Sequence, residues 1–417
     1  MAAELTPQTA ASPRWLSIVG IGEDGLGGLT PVARGLLESA SVVFGGARHI
    51  ELARAAIRGI ARTWPVPFDD SIAEVLKYRG QAVCVLASGD PFVHGVGSVL
   101  ARHVPPEEIL SVPAPSAFSI AASRLSWPLP MTTQLSLCGK PPVLIRPHLH
   151  HGRRLLLLTS DQDSPAQLAK LLCEQGFGAS KLTVLEALSG PNERTRTTRA
   201  DEFSLQGIGA LNTVALDLVA GKGARALSLA GGLADDLFEH DGQITKREVR
   251  ALTLSALAPQ FGELLWDIGA GAGSVAIEWL LSDPSLQALA IEQRPDRAAR
   301  LMRNAAALGV PRLQCIQGAS PGVLEGLKTP DAAFIGGGLT APGTLELAQK
   351  ALRSGGRLVI NSVTLETEGL LLQAHAQLGG TLSRIEISHA SPLGGENRRF
   401  SGWRPAMPVL QWTWEKP

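Results

Sequence analysis

Three glycine-bearing turns carry most of the chemistry this sequence offers. In DIGAGAGSVAIEWL a buried strand ends at Asp267 and Ile268, a loop carries Gly269, Gly271 and Gly273, and a helix starts with the acidic Glu278. Glycines let the backbone turn tightly and approach a ligand at the carboxyl edge of a parallel sheet. A nicotinamide fingerprint needs G-x-G-x-x-G, and that register puts Ser274 where the third glycine belongs. Nineteen residues beyond Gly273 the next strand ends in Glu292, a carboxylate able to accept both hydroxyls of a ribose. A further strand delivers Gly318, Ala319 and Ser320, small enough for an adenine ring to lie against backbone. The second turn, GIGEDG, spells the dinucleotide pattern with Gly20, Gly22 and Gly25, yet its next strand, SVVFGG, ends in glycine and not in an acid. The third, SGDP, follows a buried strand and carries Asp90 in an Asp-Pro turn.

Elements must hold these turns in place. Short apolar runs bounded by Gly, Pro or Asp read as buried strands: WLSIVGIG, SVVFGG, AVCVLASGD, RLLLLTS and LTVLEAL. Helical patterns lie between them, one of them SPAQLAKLLCEQG with Ser164 as N-cap, Pro165 in the first helical position and Gly176 as terminator. Around Leu218 to Asp236 the text turns Gly- and Ala-rich, and a second strand-helix alternation begins with TKREVRALTLSAL, where Thr245 reads as N-cap. Two α/β domains are expected, residues 1–222 and 223–417, the second a doubly wound, Rossmann-like domain.

Composition limits the classes of function. The 417 residues carry 38 Lys and Arg against 38 Asp and Glu, without a block of like charge, so nothing points to nucleic acid or an anionic membrane. Cys84, Cys138, Cys173 and Cys315 are scattered and form no CxxC pair, which reads as reduced cytoplasmic thiols. His148, His150 and His151 in PHLHHG read as a polar loop, and no metal site is expected. The first residues lack a secretory pattern, and no run of about 18 apolar residues occurs.

The D-x-G-x-G-x-G spacing resembles the donor loop of class I methyltransferases. With GQITKREVRALTLSAL before it and FIGGG and SPLGGENRRF after it, the last 180 residues or so resemble the decarboxylating corrin methyltransferase module. That resemblance implies S-adenosyl-L-methionine as methyl donor, touched by Thr245, Gly269, Ala270, Gly271, Ala272, Gly273, Glu292 and Ala319, with Gly318 beside them. FIGGG lacks the Asp or Asn, prolines and aromatic that hold a nucleophilic nitrogen in amino-methylating relatives. In the first half, VGIGEDGLGGLT, VVFGGARHI, ASGDPFVHGVG, VPAPSAFSIAASRLSWP, LSLCGK and LEALSGPNERTRT resemble, in order, the tetrapyrrole methylases, class III methyltransferases built from two α/β subdomains. Ile21, Asp90, Val93, Ser116 and Ala117 match their donor-contacting positions. GEDG stands where GPGD is usual and VPAPSA where VPGVSS is usual, differences of loop shape more than of chemistry.

The module order implies a fused enzyme of cobalamin biosynthesis: methylation of carbon 5 of a precorrin-6 by the first half, methylation of carbon 15 with loss of the carbon 12 acetate as carbon dioxide by the second, giving precorrin-8. Its macrocycle carries carboxylates that guanidinium groups hold well. Arg194, Arg196 and Arg199, and separately Arg398 and Arg399, are substrate-binding candidates, and Lys246 and Arg250 are placed to orient the acetate that is lost. No catalytic acid or base is assigned. A homo-oligomer, a tetramer, is implied by the second module. Two other readings stay open: a nicotinamide-dependent precorrin reductase, resting on GIGEDG, and a corrin-binding scaffold with one active methyltransferase domain, resting on the altered first-half loops.

Overall fold

Strict alternation of buried side chains organises the sheet that comes first. In β1 (Leu16–Ile21) Leu16 and Ile18 pack into one apolar cluster with Val42, Phe44, Val83 and Val85, while Val19 and Ile21 pack into another with Val43, Cys84 and Leu86. Both faces are covered, which is why these strands read as continuous apolar runs. The computed structural model describes residues 14–65, 71–393 and 400–417. With β2 (Val42–Gly45), β3 (Ile60–Thr63), β4 (Val83–Ser88) and β5 (Ile109–Val112), β1 forms a wholly parallel sheet of order β3-β2-β4-β1-β5.

A second sheet follows, built from β6 (Thr132–Ser136), β7 (Arg154–Leu158), β8 (Lys181–Glu186), β9 (Arg194–Arg199) and β10 (Asn212–Asp217) in the order β6-β7-β10-β8-β9. Only β6 and β7 run parallel. The two sheets belong to one compact unit, which runs to Pro142 and from His148 to Arg225; the other comprises Val143–Pro147 and everything from Ala226.

The second unit holds β11 (Leu264–Ile268), β12 (Gln287–Glu292), β13 (Gln314–Gln317), β14 (Ala332–Ile335), β15 (Arg357–Ser362), β16 (Thr381–Ile385), a hairpin of β17 (Ser388–Leu393) and β18 (Phe400–Pro405), and β19 (Val409–Glu415). Its seven-stranded sheet has the order β13-β12-β11-β14-β15-β19-β16, parallel except that β19 runs antiparallel to both neighbours. Order reverses between β11 and β14, and in such sheets ligands gather at the carboxyl ends beside the reversal.

Three helix starts differ from the sequence expectation. The helix Ser164–Glu174 begins on Ser164 itself, because the Asp161 carboxylate takes the exposed N–H groups of Asp163 and Ser164 at 3.0 and 2.9 Å and so performs the capping. The helix Arg247–Leu257 is preceded by Lys246, not Thr245. Thr245 lies one residue outside it and offers its carbonyl to Arg250 at 2.5 Å. Glu278 does not start its helix either; it lies within Ser274–Ser282, 3% exposed.

Candidate functional site

Three glycines of DIGAGAG are glycine for three different reasons. Gly269 (φ +73°) packs backbone against backbone, since a Cβ there would stand 2.6 to 2.7 Å from main-chain atoms of Gly337 in the facing FIGGG loop. Gly273 (φ +77°) is required by packing, with a Cβ falling 2.6 Å from Leu301 Cγ. Gly271 (φ +57°) alone faces open space: nothing lies within 3.8 Å of its Cβ position, the nearest atom being Gln243 O at 3.9 Å. The open space is a cavity of about 1180 Å³ at the carboxyl ends of β11, β12 and β14. Thr245, Lys246, Gly269, Ala270, Gly271, Ala272, Glu292 and Gly318 line it; Gly273 and Ala319 do not.

Glu292 fixes this loop as well as facing the cavity. One carboxylate oxygen accepts the Gly271 N–H at 2.8 Å and the other the Arg294 N–H at 2.9 Å. Each oxygen retains a lone pair, which is what a vicinal diol needs. Beside it Asp267 is 1% exposed; one oxygen accepts the Ala276 N–H at 3.0 Å and the other, buried, has no partner among the described residues. Burial pushes this carboxyl up to about 7, the negative charge of Glu292 acts in the same direction, and the Ala276 bond opposes both. An orphaned acceptor at a cavity wall is satisfied by a cationic, hydrogen-bonding ligand. Asp267 was visible in the sequence only as a strand end, although the first letter of D-x-G-x-G-x-G was the signal for it.

Asn361, on the same cavity wall, carried no sequence signal at all. Its amide donates to Thr253 Oγ1 at 2.8 Å and accepts from Gln411 Nε2 at 2.9 Å, partners 108 and 50 residues away. Arg250 is a correction. It is fully buried, and its guanidinium bonds Glu278 at 2.5 Å, Asp235 at 3.2 Å and the carbonyls of Thr245 and Leu233. Glu278 also accepts the N–H groups of Gly232 and Leu233, at 2.6 and 2.9 Å. This clasp pins the segment before the helix Arg247–Leu257 and takes four of the five N–H groups of Arg250, whose side chain has no exposed surface from which to hold an acetate. Lys246 keeps that possibility, with its ammonium 3.8 Å from Asp235. Arg398 and Arg399 lie outside the described residues.

In the first unit the ends of β1, β4 and β5 also converge, but on each other. A Cβ on Gly20 would fall 2.0 Å from Gly89 O and 2.4 Å from Ala114 N, so GIGEDG owes its first glycine to backbone contact and not to a pyrophosphate. A pyrophosphate would approach the second glycine, Gly22, and there a Cβ would stand 2.7 Å from the Asp24 carboxylate, an anion where a phosphate would have to lie, which removes the support for a nicotinamide site. Asp90 accepts the Phe92 N–H at 2.8 Å in a side-chain turn, and Ser116 caps the helix Ala117–Leu125 through the Ser119 N–H at 3.1 Å. Ile21 and Val93 pack into apolar clusters. The cavity at this edge is about 60 Å³, lined by Ala117, Ser88, Glu23 and Arg48 among others, and not by Ile21, Asp90, Val93 or Ser116. Ligand pockets commonly reach roughly 300 Å³ or more, so this edge as it stands is too small for an adenosyl group.

The first-unit arginines are a second correction. Arg194 and Arg196 both bond Glu186, 6% exposed, at 2.7 and 3.0 Å, as well as carbonyls of residues 206 and 207, and Arg199 bonds Asp201 at 2.7 Å. They are occupied within their own unit.

A parallel sheet of order 3-2-1-4-5-7-6 with an antiparallel seventh strand, a glycine loop open to a cavity and a ribose-ready acid define the second unit as a class I methyltransferase domain. Comparison with known proteins is in accord. Residues 236–416 match the family model described as precorrin methyltransferase domain, and residues 16–204 that of the tetrapyrrole (corrin/porphyrin) methylases. Precorrin-6Y C(5,15)-methyltransferase [decarboxylating] of Sinorhizobium sp is 55% identical over 96% of each chain, and the protein of that name from Mycobacterium tuberculosis 38% identical over 95% of this chain and 98% of its own. A crystal structure of the C-terminal domain of precorrin-6Y C5,15-methyltransferase from Rhodobacter capsulatus, 46% identical, covers 46% of this chain and all of its own with a TM-score of 0.43. The chain belongs to the decarboxylating precorrin-6Y C(5,15)-methyltransferase family. It is a methyltransferase that uses S-adenosyl-L-methionine.

Proposed function

We propose that the chain methylates carbons 5 and 15 of a precorrin-6 tetrapyrrole and removes the carbon 12 acetate as carbon dioxide, giving precorrin-8. Residues 223–417 carry the carbon 15 and decarboxylation steps and residues 1–222 the carbon 5 step. The observation that carries this reading is the second-unit cavity, with the unpartnered oxygen of Asp267, the open face of Gly271 and the free lone pairs of Glu292 on one wall. These residues fit S-adenosyl-L-methionine, whose sulfonium supplies an electrophilic methyl group. Glu292 would hold the ribose diol and Asp267 a cationic part of the donor, while the backbone at Gly271 permits close approach. Catalysis then rests largely on positioning, since a reduced tetrapyrrole is an enamine-like nucleophile and needs no dedicated base. Lys246 would orient the departing carboxylate.

Product masses test this. With donor and precorrin-6 substrate the parent chain should add two methyl groups and lose one carbon dioxide, whereas Gly271→Val, filling the space the donor needs, should lose no carbon dioxide. Retained decarboxylation in Gly271→Val would remove the donor from that loop. A second reading, in which the first unit binds the pigment without methylating it, is favoured by the 60 Å³ cavity; it requires the parent to add one methyl only. Among the described residues no helix is long and apolar enough to cross a membrane. We place the enzyme in the cytoplasm, without nucleic-acid partners, as a homo-oligomer and specifically a tetramer, for which light scattering at micromolar concentration gives the mass.

A further inference from the structure

Arg48 differs from Arg194 and Arg196 in the partner it keeps. Arg48, on the helix Ala47–Ala53, lines the small cavity and donates to Glu23, which lines it too. It also reaches His49 Nε2 at 3.0 Å and Ser88 Oγ at 3.3 Å. Arg194 and Arg196 are tied to Glu186, a carboxylate only 6% exposed that also takes the Gly209 N–H at 2.8 Å, so exchanging it would strand a buried charge. Glu23 is 20% exposed and Arg48 39%, so either can turn to water or to another ion without that penalty. Glu23 also plugs the edge: it packs against Gly190, where a Cβ would stand 2.6 Å from Glu23 Cβ. The segment beyond it holds Ala187 and Ser189 at φ +45° and +66°, a left-handed conformation rare for residues with a side chain and found disproportionately where a loop works on a ligand. Cavity, exchangeable ion pair and strained loop meet at one place.

We propose that Arg48 anchors a carboxylate of the tetrapyrrole at the first-unit site and that the Glu23 carboxylate occupies the same guanidinium until substrate displaces it. The proposal rests on the functional reading above. Displacement of Glu23 also swings its carboxylate out of the small cavity that it lines, while its Cβ stays beside Gly190, so binding the substrate's acid makes room at this edge. Arg48 is here a substrate-binding residue and Glu23 a positioning one, and the two substitutions must therefore act in opposite directions.

The test uses the full chain, with donor saturating and tetrapyrrole varied, reading methyl gain at the first-unit site and carbon dioxide release separately by mass. Arg48→Gln should raise KM for the first-unit methylation about 10- to 100-fold, the loss expected of a charged hydrogen-bonded pair, with kcat little changed. Glu23→Gln should lower that KM several-fold, and Arg48→Lys, which keeps the charge without the fork, should fall between parent and Arg48→Gln. Carbon dioxide release should be unchanged in all three. An unchanged KM in Arg48→Gln, or a raised KM in Glu23→Gln, makes the pair a structural strut and overturns the proposal. If Arg48→Gln does not fold, the sign of the Glu23→Gln effect decides alone. If the parent transfers no methyl to the tetrapyrrole, the functional reading fails and takes the anchor with it; if the parent turns over and only the signs disagree, the anchor alone fails.

Discussion

The two units solve the convergence of strand ends in opposite ways. In the second, the loop after β11 turns outward at Gly271 and leaves about 1180 Å³ beside it. In the first, the ends of β1, β4 and β5 close on one another at Gly20 and leave about 60 Å³. Buried acids differ likewise: Asp267 keeps one oxygen without a partner, whereas Glu186 is surrounded by Arg194, Arg196 and the Gly209 N–H. A glycine pattern alone therefore does not distinguish a ligand cradle from a backbone crossing. What distinguishes them is where the missing Cβ would have pointed.

The sharpest way to break that comparison is to supply the Cβ. Gly20→Ala should cost the first unit about 3 to 5 kcal/mol, because the contacting atoms are backbone and cannot move aside cheaply. Gly271→Ala should cost only about 1 to 2 kcal/mol of left-handed strain and express its effect in donor binding instead. Urea unfolding and titration calorimetry separate the two quantities; equal destabilisation by both variants would mean the loops are not different in kind.

Protons provide the next contrast, with opposite signs. Asp267 has an ordinary value of 3.8 and is pushed up to about 7 in the fold, so between those pH values the unfolded chain is ionised while the folded chain still holds its proton. Stability falls as pH rises through that window, and the full penalty stands above 7. His49 and His148 have ordinary values of 6.5 and are pushed down to about 4, by burial first and then by Arg48 for the one and by Arg153 and His150 for the other. There the unfolded chain takes up protons that the folded chain refuses, and stability falls as pH drops from 6.5 towards 4. Asp267→Asn should thus gain on the parent by about 2 to 4 kcal/mol on going from pH 4.5 to 7.5, and His49→Gln should gain as pH falls to 4.5. Parallel pH profiles for parent and both variants would dissolve the contrast. Binding of a cationic donor beside Asp267 should strengthen as pH rises through 7, with proton release measurable in buffers of different ionisation enthalpy.

Smaller still is the expected effect of Glu292→Gln. Its amide oxygen can still accept one of the two N–H groups that the carboxylate holds, so the loop survives while the charged acceptor for the ribose is lost. Donor affinity should fall by about 1.5 to 3 kcal/mol with unfolding nearly unchanged. Unaltered calorimetry would take Glu292 out of the site.

Much of this was legible in the sequence because it is local. Strands covered on both faces spell themselves as apolar runs, and DIGAGAG with Glu292 lies within 26 residues. What escaped is what depends on distant partners. Arg250 next to the donor loop looked available, but Glu278 and Asp235 lie 28 and 15 residues away and enclose it. Arg194 and Arg196 read as a substrate grip because guanidinium groups hold carboxylates, while the register with β8 sets Arg194 opposite Glu186 and Arg196 two residues along the same face, where both reach its carboxylate. Asn361 has no motif of its own, and Arg48, although inside VVFGGARHI, has no role assigned by it; the cavities they line single them out. Helix starts slipped by a residue where a neighbouring side chain, Asp161, took over the cap.

The smallest effect concerns Asp90, where the two meanings of SGDP can be separated by chemistry. Its carboxylate closes a side-chain turn on the Phe92 N–H at 2.8 Å, and its side chain does not line the small cavity, so most of its visible work is local. Asp90→Ala removes both turn and charge; Asp90→Asn keeps an oxygen for the turn and removes only the charge. Asp90→Ala should cost about 0.5 to 1.5 kcal/mol of stability and Asp90→Asn almost none. If the resemblance to the tetrapyrrole methylases carries the donor to this turn once the edge opens, methyl gain at the first unit should fall in both variants by a similar factor, because both lack the carboxylate, while carbon dioxide release is untouched. An Asp90→Asn chain that methylates like the parent leaves Asp90 as a turn residue only. The first unit would then have to hold its donor through backbone and small side chains around Ala117, unlike the second, where two acids flank the glycine loop.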